Sequence, residues 1–190
     1  MSDFLLTDKA RILAQQLHAG QVRRVSGAPF FEAHLYPVAM KVAANQGDDL
    51  AIAAAYLHDA PEDVGTYTRE MIRTLSPQIL RIVDLLTEQG KKENWEERKE
   101  SYLTHIRQYD ARSLLISLCD KCVTGHDFIA EWEQGAFGKR PERICWFYTQ
   151  LWHAYYDRAV SLEVSYDILL EELALIRDKL TRLFTARPSL

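Results

Sequence analysis

Apolar residues recur along this chain at three- and four-residue intervals, the spacing that gives a helix one buried face. Phe4, Leu5, Ile12, Leu13 and Leu17 mark the first such stretch and predict a helix over about residues 3–18. Residues 19–33 lose the period and carry Gly20, Gly27 and Pro29, so a loop is expected there. A second helix is predicted from His34 or Pro37 to Asn45, closed by Gly47. Asp48 or Asp49 can cap a third, which holds Leu50, Ile52, Ala53, Ala54, Ala55, Tyr56 and Leu57. Pro61 is expected to end it, because the residue before a proline avoids helical backbone.

A short helix is predicted near 68–75. Ser76-Pro77 then reads as cap and first helical residue of a helix to about Glu88. Residues 89–94 are polar and loop-like. Further helices are predicted from Trp95 to Gln108, from Asp110 to about Gln134, and from Pro141 to about Val160. Leu169, Leu173, Ile176, Leu180 and Phe184 share one face of a last helix, about 163–184. No segment alternates as a half-buried strand does. The predicted class is all-α. No repeat or linker divides the chain, so one domain over 1–190 is expected, with a core of about 3–160. The last helix is expected to dock on that core or on a second subunit, which leaves a homo-oligomer open.

Composition narrows the partners. A chain of 190 residues, 47% apolar, can bury a sizeable core. A net charge of −4 without a long basic block disfavours nucleic-acid or membrane-surface binding. Arg23-Arg24 can still serve a small anion. No apolar run approaches the ~20 residues of a membrane span, and Met1–Thr7 has no signal-peptide pattern. Cys119, Cys122 and Cys145 are too few for a disulfide framework, so the cytoplasm is the expected compartment. Cys119 and Cys122 fall inside an apolar helix and are expected to pack, not to bind zinc. The chain has neither a phosphate-loop signature nor a His-Glu-x-x-His helix.

The candidate chemistry lies where ionisable residues interrupt apolar surroundings. His58-Asp59-Ala60-Pro61-Glu62-Asp63 ends the most apolar helix. A helix apolar all round is normally buried, and charges at its end need a partner. Asp120 follows Leu114, Leu115, Ile116, Leu118 and Cys119 and has the same need. His34 stands where a Gly/Pro-rich loop turns into helix. Two imidazoles and two carboxylates suit an open manganese, iron or zinc site better than a closed structural one. Such an ion polarises phosphoryl oxygens and lowers the pKa of bound water. Buried ion pairs without a metal are the alternative for the same residues.

Taken in order, these segments resemble the HD superfamily of metal-dependent phosphohydrolases, and within it the RelA/SpoT hydrolases and stand-alone SpoT-like alarmone hydrolases. The likeness runs from about Ala10 to Val160. It rests on His18-Ala19-Gly20-Gln21-Val22-Arg23-Arg24, Gly27-Ala28-Pro29-Phe30-Phe31-Glu32-Ala33-His34, Ala54-Ala55-Tyr56-Leu57-His58-Asp59-Ala60-Pro61-Glu62-Asp63, Glu97-Arg98-Lys99 and Cys119-Asp120-Lys121. The resemblance implies a multi-helix HD bundle. It implies that His34, His58, Asp59 and Asp120 hold a divalent metal, typically manganese, and that Glu62 and Asp63 position or deprotonate the attacking water. It implies substrate contacts from Arg23 and Arg24, with Lys99 and Lys121 in the matching later motifs. The substrate would be a phosphorylated nucleotide, guanosine 3′,5′-bis(diphosphate) first.

The sequence departs from the family at three places. Thr124 stands where the family has asparagine, Thr149 where many members have arginine, and Leu35 where proline follows the first histidine. The metal set and the Glu-Asp pair are kept, while the substrate pocket differs. A degenerate domain that binds a nucleotide as a sensor is the alternative reading. His18 is expected in a supporting role, and His105, His126 and His153 show no partner pattern. Lys91 and Lys92 read as a solvated face, and the aromatics from Trp146 to Tyr156 as core.

Overall fold

The computed structural model of the protein describes residues 5–88 and 94–185. The loop expected at 89–94 therefore lies, apart from Asn94, outside the described residues, and so do Phe4, Lys91 and Lys92. In chain order the described helices are α1 (Leu6–Leu17), α2 (Tyr36–Ala44), α3 (Asp49–Leu57), α4 (Thr68–Leu75) and α5 (Pro77–Leu86). They continue with α6 (Trp95–His105), α7 (Ala111–Glu133), α8 (Pro141–Leu162) and α9 (Asp167–Thr185). Among these residues the only extended pairing is an isolated bridge between Val22 and Pro29. None of the helices is long and apolar enough to cross a membrane.

The helix starts follow their capping chemistry. Asp48 accepts from the Ala51 N–H at 3.0 Å, Ser76 from Gln78 at 3.2 Å, and Asp110 from Ser113 at 2.8 Å. Each bond satisfies a backbone donor that the helix itself leaves free. α5 ends two residues earlier than expected, at Leu86, which leaves Glu88 outside the helix.

Two departures from regular helix matter for the site. Phe31–Leu35 forms a π-helical turn that runs directly into α2, and Ala60–Val64 forms another after α3. Their wider bonds are Tyr36 N–H to Phe31 O and Gly65 N–H to Ala60 O, each spanning five residues. Pro61 was expected to stop the helical path. Instead α3 ends at Leu57, and the proline sits in the first turn of the π segment, where its missing N–H leaves no bond unmade. Single π turns of this kind occur often at functional sites.

α3 is buried on nearly every side, with Ala51, Ala53, Ala54, Ala55 and Leu57 fully enclosed. Its small residues let α1, α2, α5 and α7 all pack against it. α7 is the second axis and packs on α2, α3, α5, α8 and α9. Leu169, Leu170, Leu173, Ile176 and Leu180 of α9 are buried against α7 and α8, so the last helix docks on its own domain. Lys41 of α2 clasps Glu172 of α9 at 2.7 Å, and His126 of α7 reaches the same carboxylate at 2.9 Å. In α8, Phe147, Tyr148 and Tyr155 are core, whereas Trp146 and Tyr156 stay exposed. Cys119 and Cys122 are buried in α7, and burial pushes the Cys119 thiol up to about 12. That is packing behaviour, as the apolar run around them implied.

Candidate metal centre

Three helical segments deliver four side chains to one place. His34 comes from the π turn before α2, His58 and Asp59 from the end of α3, and Asp120 from the middle of α7. His34 Nε2 lies 3.2 Å from Asp59 Oδ2 and 3.4 Å from Asp120 Oδ1. His58 Nε2 lies 3.2 Å from Asp59 Oδ1, so Asp59 sets one oxygen against each imidazole. One ligand atom each from His34, His58 and Asp120 fall within 4.8 Å of one another. His34, His58 and Asp120 are buried, and Asp59 is partly so.

The donor set fits a divalent cation. His58 Nδ1 stands 2.8 Å from the Ala55 carbonyl, which can only accept, so Nδ1 carries the proton. In the neutral ring Nε2 is then a lone pair, and it is buried and without a hydrogen-bond partner. A buried acceptor left unpaired is costly unless something absent from the protein atoms fills the position. Two imidazoles with two carboxylates make a mixed set of the kind that binds manganese, iron or zinc with positions to spare.

Charge couples the cluster: burial disfavours a charged His58, yet Asp59 and then Asp120 raise its proton affinity, so an ion at Nε2 competes with a proton there. Burial works against ionised Asp59, but His58 and His34 outweigh it and hold the carboxyl far below the usual range. For Asp120 burial is likewise overcome, here by Lys121 first and then by His34 and His58. The Lys121 Nζ sits 2.6 Å from Asp120 Oδ2, and Thr124 Oγ1 donates to Asp120 Oδ1 at 3.2 Å.

Glu62 and Asp63 flank this cluster from the second π turn and are individually tethered. Glu62 Oε1 accepts from the Glu88 backbone N–H at 2.6 Å. Asp63 Oδ2 accepts from Gln21 Nε2 at 2.8 Å. Both side chains reach the surface, yet the protein crowded around them raises both carboxyls, and the Asp59 charge adds to the effect. A cavity of about 50 Å³ opens between His58, Asp59, Glu62, Asp120 and Lys121. A second, of about 140 Å³, shares Leu86, Glu88 and Tyr102 with it and is lined beyond them by Arg98 and His105. Tyr102, Ser117 and Tyr155 join their hydroxyls at 2.7 Å steps through Ser117, beside the first cavity.

The four cations named from sequence are placed differently. Lys121 lines the cavity, 5.1 Å from the Tyr102 ring. Lys99 stands 5.5 Å from the same ring and binds Glu88 at 2.7 Å. Burial, then Lys121, lowers the Lys99 pKa. Arg23 stacks over Phe30 and pairs with Asp127 of α7, instead of opening toward the cluster. Arg24 is exposed on the same loop. Thr149 bonds to Cys145 O within its own helix at 2.9 Å.

Sequence reasoning passed over Gln21, Glu88, Tyr102, Ser117 and Asp127. Gln21 carried a signal, being part of the same motif as Arg23. Asp127 lies seven residues after Asp120 and so on the same stripe of α7. Glu88 offered no signal, since its role depends on a bond to a residue of another element. His105 and His126, for which no partner was foreseen, bond to Leu85 O at 2.8 Å and to Glu172 at 2.9 Å.

Comparison with known proteins agrees with this geometry. The family model described as "HD domain" matches residues 10–136, two-thirds of the chain. The protein named GTP pyrophosphokinase rsh from Brucella ovis is 33% identical over 122 residues, covering 61% of this chain and 16% of the relative. Guanosine-3′,5′-bis(diphosphate) 3′-pyrophosphohydrolase from Borreliella burgdorferi is 32% identical over 118 residues, covering 60% and 17%. The chain thus matches about a sixth of the length of these relatives. A solved structure of a metazoan ortholog of SpoT, described as hydrolysing ppGpp, superposes with a TM-score of 0.71 at 20% identity. It covers 94% of this chain and 97% of that one, a likeness of fold. With the family's matched region enclosing His34, His58, Asp59 and Asp120, this chain belongs to the HD domain family.

Proposed function

We propose that the protein is a metal-dependent phosphohydrolase acting on a phosphate ester or pyrophosphate of a nucleotide, guanosine 3′,5′-bis(diphosphate) first. The observation that carries this reading is the buried Nε2 of His58, without a hydrogen-bond partner and facing two aspartates and a second histidine, with a tethered carboxylate pair alongside. The relative named guanosine-3′,5′-bis(diphosphate) 3′-pyrophosphohydrolase supports the choice of substrate. His34, His58, Asp59 and Asp120 would hold the ion, with manganese proposed over iron or zinc, and the cytoplasm as the place of work. When bound, a divalent cation there supplies a Lewis acid for phosphoryl oxygens and acidifies water.

The chain's own residues supply the rest. Glu62 keeps one oxygen on the Glu88 N–H, which orients the carboxylate and leaves the other oxygen to take a proton from water. Its raised proton affinity suits a general base better than an ordinary glutamate would. Water oxygen bonds to phosphorus, the bond to the leaving oxygen breaks, and the water proton passes to Glu62 or Asp63. The Lys121 ammonium at the cavity wall offsets phosphate charge, and Lys99 extends that positive edge.

Incubating the purified protein with manganese, iron or zinc and a panel of 3′- and 5′-phosphorylated nucleotides tests the reading. Pyrophosphate release from guanosine 3′,5′-bis(diphosphate) is expected, and no release from any nucleotide with any ion would contradict it. Thr124 and Thr149, standing where the resembled family carries asparagine and arginine, favour one second reading, a nucleotide-binding sensor. Glu62→Gln combined with Asp63→Asn distinguishes the two. It abolishes turnover and spares binding in an enzyme, and leaves a sensor's behaviour untouched.

A further inference from the structure

The motif His18-Ala19-Gly20-Gln21 contributes nothing to the metal cluster, yet its side chains form a directed relay into it. Gln21 Nε2 lies 2.8 Å from Asp63 Oδ2, and Gln21 Oε1 lies 2.6 Å from His18 Nδ1. The polarity of this chain is fixed from one end. An ionised carboxylate only accepts, so the amide must turn its NH₂ to Asp63 and its oxygen to His18. An amide oxygen only accepts, so His18 must carry its proton on Nδ1.

The ring that donates is itself held. His18 is 3% exposed and stacks on Phe30 at 5.2 Å with 21° between planes. Phe30 in turn lies 5.1 Å from the His34 ring. His18 Nε2 is buried without a partner, so no competing bond draws the proton away from Nδ1. Gln21 is anchored through its backbone as well, its N–H bonding His18 O at 3.0 Å and its carbonyl accepting from Phe30 at 2.9 Å. Gly20 has φ +80°, a left-handed turn that brings residue 21 back beneath residue 18 and that a side chain would strain. His18, Gly20 and Gln21 thereby each have a physical reason for their place in the motif.

We infer that Gln21, oriented by the Nδ1–H of His18, is a positioning residue for Asp63. It holds Oδ2 and leaves Oδ1 as the oxygen free to accept a proton. This rests on the reading of Asp63 as part of the hydrolytic pair. Gln21 is half-buried and on a loop, so replacing it does not threaten the core.

The test compares wild type, Gln21→Ala, Asp63→Asn and the double variant in the nucleotide assay, with nitrogen NMR of the His18 ring. Gln21→Ala is expected to lower kcat about ten-fold or more while KM and bound metal hold. In the Asp63→Asn background the same change should do nothing further. Unchanged kcat in Gln21→Ala, or an equal loss in both backgrounds, overturns the inference, as does full turnover by Asp63→Asn. A wild-type His18 ring protonated on Nε2 alone overturns it whatever the assay reads. If wild type turns over no nucleotide, the proposed function fails, and the tautomer alone then decides the relay.

Discussion

Glu62 has its proton affinity raised by the protein crowded around it first and by the Asp59 charge second. A carboxyl that binds its proton more tightly folded than unfolded loses stability as pH rises through those two values, and the loss persists at neutrality. Glu62→Gln keeps an oxygen for the Glu88 N–H and removes the charge. The metal-free variant should therefore melt slightly higher at pH 7, while turnover falls by about a hundred-fold or more. Parallel melting and rate measurements check this pair of outcomes. Asp120 has the opposite sign. Its depressed pKa adds stability that is full above the ordinary aspartate value, about 3.9, and is lost as pH falls through the folded value. Asp120→Asn strips the counterion from Lys121, so a loss of about 3 kcal/mol is expected at pH 7, shrinking in acid. Denaturant titration at pH 7 and pH 3.5 reads both. His34, His58, Asp59 and Asp120 could be found in the sequence because each is an ionisable group in an apolar or glycine-rich setting. Glu88 could not, since its partners Lys99 and Glu62 come from other elements.

Helix starts were readable because Asp48, Ser76 and Asp110 do their capping locally. The π turns at Phe31–Leu35 and Ala60–Val64 were not, because an apolar stripe looks the same whether the turn closes at four residues or five. These turns shape the site, since His34, Glu62 and Asp63 all sit on them. Where α9 docks was also left open between core and partner. Gly125 of α7 explains the close approach. A Cβ there would stand 2.5 Å from Ile176 Cγ2 and 3.0 Å from the Tyr148 ring. Gly125→Ala should push α9 off α7 and destabilise the protein by about 1–3 kcal/mol, despite alanine's better helix propensity. A gain in stability in chemical denaturation would show instead that the helices have room.

At the scale of the molecule, α3 and α7 act as two buried rods that fix His58, Asp59 and Asp120, and the 18–35 segment closes over them with His34 and Gln21. The all-α class was legible because helical periodicity persists through most of the chain. How four distant residues converge was legible only through family likeness, because spacing along a chain does not specify contact across it. Everything proposed for the chemistry depends on a single divalent ion among His34, His58, Asp59 and Asp120. Calorimetric titration of the metal-free protein with manganese tests this most directly. One ion per chain should bind to the wild type, and binding should vanish in His58→Ala while helical content holds. No binding to the wild type, or one ion still bound after both His34→Ala and His58→Ala, would contradict the account.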